Sequence, residues 1–158
     1  MEKFIVALDL QEDSSRVLLK AVEIAQRYNA ELHMVHVVPP IGSYIGTALF
    51  DPMSGMDSSM LPNGIEMMES QQKAAEESME MLAKSMPLQP QAIKVFLGET
   101  EDEILNYAQE IQAALIILGT HQHSGLFRLF SRETAVKMLH ETQIPILVIP
   151  IGANSNKD

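Results

Sequence analysis

Short strand-like segments alternate with stretches of helical periodicity along almost the whole chain. Residues 4–8 form an unbroken apolar run, as expected of a strand covered on both faces. Val17, Leu18, Ala21, Ile24, Ala25 and Tyr28 then recur at helical spacing, with Ser14 or Ser15 as the expected cap. Glu31–Val38 reads as a second strand and stops at Pro39 and Pro40. A helix is expected over residues 65–85, with Met68, Ala75, Met79, Leu82 and Met86 along one face. Ala92–Leu97 is the third strand, and Thr100 with Glu103 spells a capping box ahead of Ile104, Leu105, Ala108 and Ile111. Residues 114–118 and 146–149 are the fourth and fifth strands, with a helix from about residue 131 to residue 142 between them. Apolar strands alternating with helices imply an α/β fold, a parallel sheet with helices on both faces.

A chain of 158 residues fits one domain with a sizeable core. Its expected extent is residues 1–151, followed by a polar tail over 152–158. Residues 39–64 hold four of the eight prolines and four of the eight glycines, and read as a long loop. Met53, Met56 and Met60 fall in this loop, which is expected to be a surface segment; methionine also adapts to irregular partner surfaces. The net charge of −10 argues against broad binding to nucleic acid or to anionic lipid. The absence of cysteine excludes disulfides, thiolate metal sites and cysteine nucleophiles. The apolar run before Asp9 is too short for a signal-peptide core, and no stretch approaches the roughly 20 apolar residues of a spanning helix. The expected location is the cytoplasm.

Open parallel sheets bind ligands beyond the carboxyl ends of their strands, where the strand order reverses. Here those ends are Asp9, residues 37–39, Gly98 and residues 119–123. The turn after the first strand lacks GxGxxG, and GxxxxGK[ST] occurs nowhere. A phospho-receiver arrangement would find its acids in Asp9, Glu12 and Asp13. It fails because Leu97-Gly98 and Pro150 stand where an Asp and a Lys are needed. His36, His121 and His123 with Asp9 make a weak metal constellation, read as polar residues rather than ligands. Ser124 is near histidines in sequence only, and no catalytic constellation is read: the chain is expected not to be an enzyme.

One stretch invites a nucleotide reading. In "LGTHQHSGLFRLFSRETAVKML", residues 118–139, Gly119 stands at the expected turn out of the fourth strand. The next glycine is Gly125, whereas a phosphate loop usually relies on several. Together with "FIVALDLQEDS", "ELHMVHVVPP" and "GETEDEIL", the region from Leu115 to Pro150 resembles the universal stress protein family. The resemblance covers nearly the whole chain outside residues 39–64 and rests on order and spacing. It implies a single Rossmann-like domain with a five-stranded parallel sheet of order 3-2-1-4-5. It also implies a homodimer through the edge residues Ile146, Leu147, Val148 and Ile149.

Nucleotide-binding members carry Gly-x-x-Gly, nine residues, then Gly-Ser or Gly-Thr. Set against that pattern, Gly119 matches the first glycine, Gln122 replaces the second, and Arg132-Glu133 replaces the late pair. Gln122 and Arg132 add side chains where backbone should meet phosphate, and Glu133 adds an anion at a helix N-terminus. Asp9 matches the acidic residue near ribose and phosphates, and Val37 the residue whose backbone meets adenine. Any retained site would be built from Asp9, Val37, Gly119, Gln122, Arg128, Arg132, Glu133 and Thr134, with ATP or AMP as the candidate ligand. Arg128 and Arg132 could reach phosphate through their side chains; a salt bridge from Arg132 to a nearby acid is the plainer reading. The expectation is a non-enzymatic stress-response protein without tight ATP binding, the alternative an ATP- or AMP-binding regulatory switch.

Overall fold

The computed structural model describes residues 1–10, 13–40, 64–121 and 132–151. Strands β1 (Lys3–Ala7), β2 (Glu31–Val38), β3 (Ala92–Leu97), β4 (Leu115–His121) and β5 (Ile146–Ile151) alternate with helices α1 (Ser14–Tyr28), α2 (Gly64–Lys84), α3 (Thr100–Glu110) and α4 (Arg132–Glu141). All neighbouring strands pair in parallel, in the order β3-β2-β1-β4-β5. The parallel sheet is the one the alternation predicts, and its order is the one the family resemblance implied.

Alternation along the strands divides the core in two. Phe4, Val6, Leu8, Leu32 and Met34 face α1 and α2, where Leu18, Ala21, Val22 and Met79 close over them. Ile5, Ala7, Val35 and Val37 face α3 and α4, against Ile104, Ala108, Ala135 and Met138. Fully burying a side chain such as Leu18 or Ile104 contributes about 1.5–3 kcal/mol, so both layers hold the sheet.

Two helix-to-strand turns use one device. Asn29 after α1 and Gln112 after α3 adopt left-handed φ angles of 50° and 55°. The following residues then bond back to the helix, Ala30 N to Ala25 O at 2.9 Å and Ala113 N to Ala108 O at 2.8 Å. This closure satisfies carbonyls that a helix end otherwise leaves open.

Several expected boundaries move. Neither Ser14 nor Ser15 caps α1: Asp13 holds that position, and Ser14 is already helical. The capping box at Thr100 does not form either. Glu99, in extended conformation, takes the cap position without a side-chain cap bond, and Thr100 is buried inside α3. Tyr28 is 67% exposed, although its ring meets that of Phe4 edge-on. β4 runs on beyond Leu118: Gly119, Thr120 and His121 pair with Ile149, Pro150 and Ile151 of β5, which is correspondingly longer than residues 146–149. Gly119 is therefore a buried strand residue and not the turn. Backbone pairing needs no apolar side chain, so the end of the apolar run did not mark the end of the ladder. Pro150 is accommodated because β5 is an edge strand, where a missing N–H costs little. The Pro/Gly/Met-rich segment lies outside the described residues from 41 to 63, as does the tail from 152.

Candidate functional site

The strand order reverses between β1 and β4, and the ends of β1, β2 and β4 define the crevice there. Ala7 pairs with Val35 on one side and with Leu118 on the other. Asp9 and Val37 each follow that level by two residues and Gly119 by one. Three of the residues singled out from sequence are thus brought to one end of the sheet.

Backbone parity orients Val37. Leu8 N donates to Val35 O at 2.9 Å, so the polar groups of Val35 face β1. Gly98 N donates to Val38 O at 3.1 Å, so those of Val38 face β3. Val37, two residues after Val35, therefore directs its N–H and C=O to the side of β1, beyond the last β1–β2 pair. Its side chain is buried in the α3/α4 layer. A planar heterocycle placed past the end of β1 would meet one donor and one acceptor of this backbone.

Asp9 accepts a hydrogen bond from Ser14 Oγ at 3.0 Å, in a part-buried setting. Leu10, the residue after Asp9, has a φ of 59°, a left-handed conformation that a leucine rarely takes. His36 Nδ1 lies 2.7 Å from the carbonyl of Leu8. A carbonyl only accepts, so Nδ1 carries the proton. Burial holds the His36 pKa below the ordinary histidine value; the Leu8 bond and the charge of Asp9 oppose that effect only in part. Sequence reasoning weighed His36 as a metal ligand and Ser14 as a cap, and missed the roles the geometry gives them. The only sequence signal was their nearness to strand ends.

At the other side of the crevice, α4 begins with Arg132, and its first turn carries the exposed Glu133 and the buried Thr134. Gln122 and Arg128 lie outside the described residues. Among the described residues, no group of three or more His, Asp or Glu side chains is arranged to hold a metal ion. No helix of these residues is long and apolar enough to cross a membrane. Ile146, Leu147, Val148 and Ile149 lie on the outermost strand, with Leu147 and Val148 37% and 38% exposed.

Comparison with known proteins agrees with this frame. A family model described as universal stress protein family matches residues 1–150. Universal stress protein YxiE of Bacillus subtilis is 28% identical over 156 residues, covering 93% of this chain and 97% of that protein. A universal stress protein from Archaeoglobus fulgidus, solved in complex with dAMP, superposes with a TM-score of 0.54 at 18% identity, over 94% of this chain and 98% of that one. A universal stress protein solved in complex with cAMP gives 0.53 at 16% identity, over 94% and 96%. At such identities the two structures attest the fold.

Proposed function

The chain belongs to the universal stress protein family, and on that premise we propose that it is a non-enzymatic stress-response protein that does not bind ATP tightly. The carrying observation is Glu133, an exposed carboxylate in the first turn of α4. A helix N-terminus carries about half a positive charge and favours anions; here a fixed anion already occupies the first turn. Gln122 and Arg132, in place of glycines, act in the same direction by the sequence match. The module works in the cytoplasm as a homodimer through β5. The exposed Leu147 and Val148 on the edge strand support the dimer.

Calorimetric titration with ATP, with and without magnesium, tests the proposal. No binding in the low micromolar range is expected, and such binding by the unmodified protein would overturn it. Arg132→Gly combined with Glu133→Ser restores backbone approach and removes the repulsive charge. The gain in ATP affinity should be on the order of 2–4 kcal/mol.

A second reading is favoured by what remains at the other end of the crevice. Asp9, and the Val37 backbone directed past the end of β1, support an adenosine half-site. The two relatives solved with cAMP and dAMP carry adenine monophosphates. On this reading the protein is a regulatory switch for an AMP-type ligand. Mass spectrometry of denatured, freshly purified protein should then release an adenine nucleotide.

A further inference from the structure

The turn leaving β1 is held in a conformation its sequence does not favour. Leu10 sits at a φ of 59°, a geometry that persists only where the surroundings over-determine it. Two buried side chains from separate elements converge just before it. His36, on β2 and 6% exposed, donates Nδ1–H to the carbonyl of Leu8 at 2.7 Å. Ser14, in the first turn of α1 and 4% exposed, donates its hydroxyl to Asp9 Oδ1 at 3.0 Å. A serine at the cap position turns its oxygen to the helix amides, but Asp13 holds that position and Ser14 stands one residue inside it. Here it acts as a donor to the carboxylate five residues back.

We infer that His36 and Ser14 are positioning residues for Asp9, the first through the Leu8 carbonyl and the second through the carboxylate itself. The inference rests on the reading of the crevice as a site for an AMP-type ligand. Leu8 and Asp9 are consecutive, so fixing the carbonyl of one and an oxygen of the other sets where the carboxylate points. A ligand hydroxyl then meets a carboxylate already aimed, and binding does not have to order it. The same arrangement ties the end of β1 to β2, where Val37 presents its backbone.

The full-length chain and its His36→Leu, His36→Asn, Ser14→Ala and Ser14→Thr variants are titrated with AMP by calorimetry. Amide exchange of Asp9 and Leu10 is followed by NMR in the absence of ligand. Asn places a donor near the position of the imidazole Nδ1, and Thr retains the hydroxyl. His36→Leu and Ser14→Ala should lose at least about tenfold in AMP affinity and exchange faster at Asp9 and Leu10. His36→Asn and Ser14→Thr should recover most of both, which a purely space-filling role would not predict. If the unmodified protein binds AMP and the Leu and Ala variants bind it equally well, the inference fails while the site reading stands. If the unmodified protein does not bind AMP, the site reading fails, and the exchange data decide the positioning by themselves. Unchanged exchange in both variants overturns it, and loss with rescue by Asn and Thr upholds it.

Discussion

His33 Nδ1 and the Tyr107 hydroxyl lie 2.8 Å apart, joining β2 to α3 across 74 residues of sequence. Both side chains are buried, and Phe96 packs beside the tyrosine ring at a centroid distance of 5.3 Å. Among the described residues, the other imidazole nitrogen, Nε2, is buried without a hydrogen-bond partner, 3.9 Å from Glu31 Oε2.

Tyr107→Phe keeps the ring and deletes the hydroxyl, leaving both His33 nitrogens without a hydrogen bond from the described residues. The expected loss is about 1–3 kcal/mol, read as a lower urea midpoint with an unchanged slope. A variant as stable as the unmodified protein would show that the bond adds nothing net.

Acidification should weaken the fold below about pH 6.5, the ordinary histidine value. Burial lowers the pKa of His33, with Glu31 opposing, and burial likewise lowers that of His36. The unfolded chain then binds more protons than the folded one just below that pH. Stability is complete above the unfolded value and falls as pH drops toward the lowered folded values. Urea unfolding at pH 7.5 and pH 5.5 measures this. His36→Asn should flatten part of the dependence, and an undiminished slope would assign it elsewhere.

Gly98 joins β3 to α3 at a φ of +155°, and a Cβ there would stand 2.6 Å from Glu103 Oε1 and 2.9 Å from its Cγ. Gly98→Ala should cost about 1–3 kcal/mol by thermal unfolding. Adding Glu103→Ala should return the share due to the clash and leave the share due to backbone strain. A double variant no better than Gly98→Ala would place the whole cost in the backbone.

Val148 pairs with Leu118, whose side chain is buried beneath α3 and α4, so Val148 faces that same side at the sheet edge. It is 38% exposed, and Val136 and Leu139 of α4 are 44% and 55% exposed. An uncharged apolar edge of this kind invites pairing with another chain. Val148→Lys should shift the proposed homodimer toward monomer by light scattering while leaving circular dichroism unchanged. A stable monomer of the unmodified protein at micromolar concentration would end the proposal.

The order and type of every strand and helix named above were legible in the chain itself. Runs such as Ile5 to Leu8 can be buried on both faces only in a covered parallel sheet, and periodic rows such as Val17, Leu18 and Ala21 need one apolar partner. Asp9 and Val37, at the strand ends, followed from that topology. What sequence misplaced was set by groups outside each residue's own element. Gly119 belongs to β4 because Ile149 pairs with it. Ser14 bonds Asp9 because Asp13 takes the cap position and the turn after β1 brings the carboxylate within 3.0 Å. His36 reaches the Leu8 carbonyl because β2 lies beside β1 in that register. Local propensity weighs a residue against its neighbours in the chain, whereas a hydrogen bond goes to whichever buried partner the packed layers bring within reach. The elements were therefore decided by sequence, and the roles of His36, Ser14 and Gly119 only by the tertiary structure.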